Sequence, residues 1–169
     1  AFMKIRAEDP APKIVAGNLL FHGDDAWVAK EYWKQVEASG AVAWHRTNKG
    51  RLPWDEVGIH PYGYDPISGK LQAQVTSFRA VLTGASDASA IVLSEYGWHT
   101  SPAEDPNMRA TEADQAAYLK ATFLAMKPAV SLVMWFNYLA APGLSYGIRR
   151  ADLSWKPAAH AYCDAAGAT

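Results

Sequence analysis

Short apolar runs alternate with stretches of helical periodicity along the chain. The apolar runs predict four strands, at residues 13–21, 56–64, 91–98 and 130–138. Apolar side chains that recur every three or four positions predict helices at 26–39, 70–83 and 111–128, and a last one from Lys156–Pro157. Residues 4–9 predict the last turn of a further helix, and residues 41–51, which lack a clear period, predict a loop.

Local signals support these boundaries. Asp24 and Asp25 are placed to cap the first long helix, and Gly40 is placed to end it. Thr111 and Asp114 resemble a capping box with aspartate in place of glutamate. Strand starts about 35–45 residues apart are typical of βα units, which predicts an α/β fold with a parallel sheet.

The predicted strands are apolar on both faces, so each is expected to be central in a parallel sheet. Each also ends in residues capable of binding or chemistry: Phe21 and His22, His60 and Tyr62, Glu95 and Trp98, Trp135 and Asn137. Strands that all carry such residues at their C-terminal ends favour a (β/α) barrel over an open sheet, where function concentrates at one switch point.

Glu95 is the leading candidate for chemistry. It follows Ile91–Val–Leu–Ser94 directly, and a carboxylate at the end of an apolar strand is costly unless it is hydrogen-bonded or used. The alternative is a structural role, in which Glu95 caps the strand end or pairs with a basic neighbour.

Composition excludes several classes of function. A chain of 169 residues is long enough for one domain, and a net charge of −1 without a Lys/Arg run argues against nucleic-acid or anionic-membrane partners. No apolar run reaches the length of a membrane span, and the first residues do not form a signal peptide. Cys163 has no second cysteine to pair with, and the compartment is not indicated.

Aromatic content adds one positive indication. Seven Trp and eight Tyr suit stacking surfaces for flat apolar ligand faces, sugar rings among them. No cofactor is expected, because the five histidines show no metal-binding spacing and the glycines form no nucleotide fingerprint.

Several segments together resemble a known family. Residues 55–64, 93–98, 134–137, 146–147 and 155–158 resemble the last four βα units of the clan A retaining glycoside hydrolases, most of all the cellulases and xylosidases of families 5 and 39. The resemblance runs from about Ile5 onward. It implies a single (β/α)4 half-barrel over residues 1–169, which begins after the expected fourth strand of a TIM barrel and which two copies can close into a full barrel.

The resemblance also implies a site. Glu95 matches the nucleophile at the end of strand seven, His60 and Tyr62 match the strand-six pair that orients it, and Trp135 matches the aromatic beneath the sugar. Such a carboxylate attacks the anomeric carbon, and an indole stacks on the C–H face of the ring. The remaining predicted sugar contacts are Trp98, His99 and Asn137.

The chain departs from the family in lacking the acid/base. A retaining glycosidase needs a second carboxylate roughly 5 Å from the first, and the clan supplies it from an Asn–Glu pair at the end of strand four. No Asn is followed directly by Glu in this sequence. Asp65, Asp24 or Asp25 would have to substitute. The chain is either a short half-barrel that starts at Met3 or a fragment of a longer enzyme.

Three functions remain open from the sequence. The first is a hydrolase of β-linked glycosides with Glu95 as nucleophile. The second is a carbohydrate-binding or structural half-barrel without turnover. The third is an unrelated α/β domain. A half-barrel exposes both sheet edges and the side chains meant for a barrel interior, so the expected partner is a second copy or a missing N-terminal half-barrel.

Overall fold

The computed structural model describes residues 12–22, 25–141 and 143–167, and the predicted helical turn at residues 4–9 lies outside them. The strands are β1 (Val15–Leu20), β2 (Glu56–His60), β3 (Ala90–Tyr96) and β4 (Leu132–Trp135). The helices are α1 (Asp25–Glu37), α2 (Gly40–Lys49), α3 (Lys70–Gly84), α4 (Glu112–Met126) and α5 (Pro157–Ala166). The predicted alternation of four strands with helices is confirmed.

The four strands form one open sheet in the order β1–β2–β3–β4, and every neighbouring pair is parallel. This arrangement is consistent with half of a (β/α) barrel. The prediction that every strand is central is wrong for β1 and β4, because these two form the sheet edges of the described chain. Four of the six residues of β1 and two of the four residues of β4 are exposed, whereas the first four of the five residues of β2 are buried.

One face of the sheet packs against the helices. Val57 and Ile59 of β2 are fully buried, as are Ile91 and Leu93 of β3, and all four join the main apolar cluster. In this cluster the helices contribute a group of large aromatic and aliphatic side chains: Trp33, Val42, Leu71, Val75, Phe78, Leu82 and Met126. This packing fixes the strand ends and therefore the site that they carry.

The other face of the sheet is largely open. Side chains alternate along a strand, and the irregularity between Gly17 and Leu19 shifts this alternation by one residue in β1. Val15 and Leu20 of β1 and Leu132 and Met134 of β4 therefore lie on this inner face. Their exposed fractions are 39%, 50%, 46% and 49%. These apolar side chains occupy the positions that would fill the interior of a closed barrel.

Gly58 brings β1 and β3 together across the inner face. A Cβ at this position would collide with the Asn18 side-chain oxygen and approach the Ser94 hydroxyl. Without that Cβ, Ser94 Oγ donates a hydrogen bond to Asn18 Oδ1 at 2.7 Å across β2. Glycine at residue 58 is therefore needed for this link between non-adjacent strands.

Helix α2 is a difference from the sequence prediction, which has a loop at residues 41–51. Ser39 caps this helix by accepting a hydrogen bond from Val42 N at 3.4 Å, and Gly50 ends it in the left-handed conformation at φ 64°. Val42 is the buried residue of the helix. A helix that buries so little has no apolar stripe to reveal it in the sequence.

A polar cluster joins α1 and α2 to the turn before β3, at the end of the sheet away from the strand C-termini. Arg46 Nη2 donates to Glu37 Oε2 at 2.9 Å, and Trp54 Nε1 donates to Asp87 Oδ2 at 3.2 Å. Burial and the neighbouring Asp87 raise the pKa of Glu37 to about 7. Burial also acts to raise the pKa of Asp87, but hydrogen bonds with Glu37, Ser89 and Trp54 outweigh it and lower that pKa.

No helix in the described part of the chain is long and apolar enough to cross a membrane.

Candidate active site

Glu95, Tyr62 and His60 meet at the C-terminal ends of β2 and β3. Tyr62 donates its hydroxyl hydrogen to Glu95 Oε2 at 3.1 Å, and His60 Nδ1 lies 3.5 Å from the same oxygen. The Glu95 side chain is 42% exposed and the His60 side chain 17%. The carboxylate thus accepts one hydrogen bond from Tyr62, has the His60 ring beside the same oxygen, and remains partly exposed to solvent.

Burial shifts the pKa values of both neighbours of this carboxylate in the direction that favours their neutral forms. Burial lowers the pKa of His60, although the negative charge of Glu95 acts in the opposite direction. Burial, together with the charge of Glu95 and the hydrogen bond to it, raises the pKa of Tyr62. Tyr62 therefore keeps its hydroxyl hydrogen, and donates it to Glu95, at neutral pH.

A bulge in β3 sets the direction of Glu95. Leu93 pairs with Val133 and Tyr96 pairs with Trp135, so two residues of β3 oppose one of β4. Leu93 and Tyr96 are both fully buried on the helix side. The extra residue re-aims Glu95, which regular alternation from Leu93 would direct towards the helices.

Gly97 allows the ends of β3 and β4 to approach each other closely. A Cβ on Gly97 would overlap the carbonyl oxygen of Phe136, and Phe136 N donates to Tyr96 O at 2.8 Å. The peptide bond between Phe136 and Asn137 is cis.

Phe136, rather than Trp135, contacts Tyr62, the residue that donates a hydrogen bond to Glu95. The Trp135 ring contacts Tyr96 at 5.9 Å between centroids and packs against the main apolar cluster. The Phe136 ring lies 6.4 Å from Tyr62 and 5.5 Å from Tyr146. Sequence reasoning missed Phe136 because consecutive strand residues point to opposite faces, so a shift of one residue exchanges the two aromatics.

Trp98 and His99, both predicted sugar contacts, are buried under the rim. Trp98 is 6% exposed and donates Nε1–H to Tyr96 OH at 2.8 Å, and its ring packs against that of Tyr118 in a tilted arrangement at 4.7 Å between centroids. His99 is fully buried, and its Nε2 lies 2.6 Å from Asp105 O. In this structure both side chains support the loop after β3 and present almost no surface to a ligand.

Tyr146 lies between this loop and Tyr62, and its ring contacts both. It is 8% exposed, and its ring lies 5.9 Å from Tyr62 and 5.4 Å from His99. Burial and the negative charges of Glu104 and Asp105 raise the pKa of Tyr146 to about 12. No local sequence signal indicates this contact, because residue 146 lies in a loop without a regular period.

A buried lysine holds the two loops that carry these groups. Lys156 Nζ donates to Thr100 Oγ1 at 3.0 Å and to Ser145 O at 2.8 Å, and the residue is 3% exposed. Glu104 Oε1 accepts from Ser145 N at 3.0 Å and from Ser145 Oγ at 2.6 Å. Burial lowers the pKa of Lys156, opposed by the charges of Glu112 and Glu104. These contacts tie the loop after β3, the loop after β4 and the start of α5 together.

Asn137 and Asp65 complete the predicted set. Asn137 accepts a backbone hydrogen bond from Ile148 N at 3.1 Å, and its buried Oδ1 has no hydrogen-bond partner among the described residues. Asp65 Oδ1 accepts from Ile67 N at 2.7 Å, which occupies it at the turn before α3. The side chains of Asp24 and Asp25 lie outside the described residues.

Across residues 12–22, 25–141 and 143–167, no group of three or more His, Cys, Asp and Glu side chains is arranged to hold a metal ion.

Neither the protein-family models nor the curated proteins give a match to this sequence. Solved structures do match, and three of them are glycoside hydrolases with TM-scores above 0.6. A glucosidase from Croceicoccus marinus gives a TM-score of 0.67 at 20% identity over 99% of this chain and 34% of its own. A monomeric beta-xylosidase from Caulobacter crescentus gives 0.62 at 18% identity over 95% of this chain and 34% of its own.

A GH39 enzyme from Xanthomonas axonopodis pv. citri gives a TM-score of 0.64 at 16% identity over 95% of this chain and 33% of its own. The chain therefore spans about a third of the length of these solved proteins. At such identities the likeness concerns the fold, which is that of part of a glycosidase.

Proposed function

We propose that this chain carries the nucleophile of a retaining glycoside hydrolase that acts on β-linked glycosides. The observation that carries the proposal is the position of Glu95 at the rim of the sheet, half exposed, with Tyr62 OH at 3.1 Å and His60 Nδ1 at 3.5 Å from Oε2. The resemblance of the sequence around these residues and the glycosidase-like fold support it.

Glu95 performs the first half-reaction. Its carboxylate attacks the anomeric carbon, the bond from that carbon to the leaving oxygen breaks, and the leaving group departs with the electron pair and takes a proton from a carboxylic acid that is not among the residues assigned to this site. Water then attacks the glycosyl ester and gives its proton to the conjugate base of that acid, which releases the sugar and restores the Glu95 carboxylate. Tyr62 binds Oε2 and His60 lies beside it, and in this proposal Oε1 is the oxygen that attacks the sugar.

Phe136 is the aromatic that we assign to the sugar-facing side of this cleft. Its ring contacts Tyr62, which in turn holds Glu95. Trp135 stabilises the helix side of the sheet end through Tyr96. The edge-to-face contact between the rings of Tyr146 and Tyr62 supports the position of Tyr62.

Trapping of a covalent intermediate tests the proposal. The dinitrophenyl group of a 2-deoxy-2-fluoro β-glycoside departs without protonation, so this reagent reports on the nucleophile alone. Intact-protein mass spectrometry after incubation with a panel of such sugars is expected to show one adduct per chain. The adduct should vanish in Glu95→Gln and persist in Glu31→Gln, a matched control on the surface of α1.

A non-catalytic carbohydrate-binding half-barrel is the second candidate. It is favoured by the absence of any Asn–Glu pair in the sequence, since the family takes its acid from such a pair. In that case the folded protein binds β-glycosides in calorimetric titrations and forms no adduct with any sugar of the panel. Adduct formation that depends on Glu95 contradicts this second function.

A further inference from the structure

The β4 edge of the sheet borders an apolar groove. The groove has a volume of about 730 Å³ and runs between β4, the loop after it and α5. We call it the β4 edge groove, and it is lined among others by Leu132, Met134, Tyr138, Trp155, Tyr162 and Cys163. The exposed fractions of Tyr138 and Trp155 are 58% and 50%, which is high for aromatic side chains of this size.

The β1 edge presents a second apolar surface at the other side of the sheet. Leu20 of β1 is 50% exposed, and Val28 and Tyr32 of α1 are 56% and 54% exposed. These three residues line a shallow depression with Leu19 and Ala29. We call these five residues the β1 edge patch.

Two polar atoms in the β4 edge groove lack partners. Trp135 Nε1 and Asn137 Oδ1 are buried without a hydrogen bond to any described residue, and both side chains line the groove. One is a donor and the other an acceptor. A buried polar atom without a partner costs about 1–3 kcal/mol, so the described chain leaves polar groups unsatisfied at this edge of the sheet.

We propose that the β4 edge groove of one copy receives the β1 edge patch of a second copy of this chain, and that two such contacts close an eight-stranded ring. This inference names the partner that encloses the cleft of the proposed glycosidase site, and it rests on the proposed function to that extent. The contact itself is argued from the sheet and is tested without a sugar.

Strand polarity supports this pairing. All four strands are parallel, so placing β1 of a second copy beside β4 continues the sheet in the same direction. A twofold axis then generates the same contact between the other two edges, and no free edge remains. Eight strands are also the number whose interior is just filled by side chains.

The exposed inner face supplies the side chains for that interior. Val15, Leu20, Leu132 and Met134 lie on this face and are 39–50% exposed in the single chain. In the ring they meet their counterparts from the second copy and leave water. Parallel pairing also satisfies the unpaired backbone N–H and C=O groups along the two edge strands.

The available area suffices for a stable dimer. At roughly 200 Å² for a whole aromatic side chain, the exposed halves of Tyr32, Tyr138 and Trp155 amount to about 300 Å². The aliphatic side chains of both edges and the two edge backbones bring each copy to the order of the 800 Å² per partner that specific dimers bury.

Cross-linking through the single cysteine tests the arrangement. Cys163 is exposed in the β4 edge groove, and Val28→Cys places a second thiol in the β1 edge patch. A mixture of isotopically heavy and light Val28→Cys protein is treated with a short bismaleimide, and the cross-linked peptides are identified by mass spectrometry. We expect linkage of residue 163 in one copy to residue 28 in the other, and sedimentation velocity is expected to give twice the 18.4 kDa mass.

Matched variants separate this contact from other forms of association. Ile67→Cys, at a 63% exposed position in the loop after β2, is expected to give no specific link to residue 163. Leu132→Asp, which puts a charge into the seam, is expected to give a monomer that keeps its circular dichroism. Glu95→Gln, introduced into the Val28→Cys protein, is expected to dimerise and to cross-link in the same way. The dimer is therefore tested independently of whether Glu95 is a nucleophile.

Three outcomes overturn the inference. One is a monomer at tens of micromolar, which would mean that β1 and β4 pair with the remainder of a longer protein or with another chain. A second is a dimer whose links join residue 163 to residue 163, since that describes a face-to-face contact. The third is an open series of oligomers, because the ring requires closure after two copies.

Discussion

The raised pKa of Glu37 makes the stability of the fold depend on pH in a way that one substitution should remove. Glu37 lies at the end of α1, its side chain is 3% exposed, and it is paired with Arg46 beside Asp87. Glu37→Gln keeps the shape of the side chain and an acceptor for Arg46, and its amide gains two donors for the neighbouring carboxylate. The variant therefore removes the titration while it preserves the contacts.

The size of the effect follows from the two pKa values. Glu37 titrates near 4.5 in the unfolded chain and near 7 in the folded one, so the folded state binds more protons between these values. The free energy of unfolding therefore falls as the pH rises from about 4.5 through 7. Between pH 5.5 and 8.5 the loss from this one group is about 2 kcal/mol, taking 1.4 kcal/mol per pKa unit.

Asp87 adds no slope in this interval. Its pKa is lowered in the folded chain, so its contribution is present above the unfolded value of 3.8 and is lost only as the pH falls below it.

Urea unfolding at pH 5.5 and 8.5, followed by tryptophan fluorescence at one protein concentration, measures the effect. The free energy of unfolding of Glu37→Gln relative to the unaltered chain should rise by about 2 kcal/mol from the lower to the higher pH. Glu31→Gln, on the exposed side of the same helix, should show no such change. An equal difference between Glu37→Gln and the unaltered chain at both pH values would refute the reasoning, because the carboxyl group would then have an ordinary pKa.

Three further outcomes are expected. Tyr62→Phe removes a donor to Glu95 and should slow the trapping by fluoro-glycosides by about tenfold to a hundredfold, with unchanged circular dichroism. Gly97→Ala should destabilise the chain by about 2 kcal/mol or more in urea unfolding, because its Cβ would overlap the carbonyl oxygen of Phe136 just after β4, whereas Gly84→Ala, in open space, should not. Thr111→Ala removes a helix cap and should cost about 1 kcal/mol in the same assay, with the loss confined to stability.

The sequence predicts the four βα units because their signals are local. Apolar runs and helical periodicity reflect which face of each element is buried, and the capping box of Thr111 and Asp114 is present as the pattern predicts. Pro157 opens α5 at the predicted position. Helix α2 escapes prediction because it buries Val42 alone among its ten residues, so its caps at Ser39 and Gly50 are the remaining local signals.

The site is less predictable because its geometry depends on contacts between strands. The bulge that changes the direction of the Glu95 side chain is a property of the pairing between β3 and β4, which the amino-acid sequence of β3 alone does not predict. The same register decides that Phe136 contacts Tyr62 and that Trp135 contacts Tyr96. Tyr146 comes from a loop whose path depends on a buried lysine ten residues further along the chain.

The Lys156 network has a consequence for how the molecule opens. Its ammonium group joins two loops to the first turn of α5 through Thr100 and Ser145. Elements linked by a buried charge lose their hydrogen-bond partners together, because freeing one of them leaves the others unsatisfied. The amides of α5 and both loops should therefore exchange with solvent deuterium as one cooperative unit, with the rim of the cleft losing its order whenever the last helix detaches.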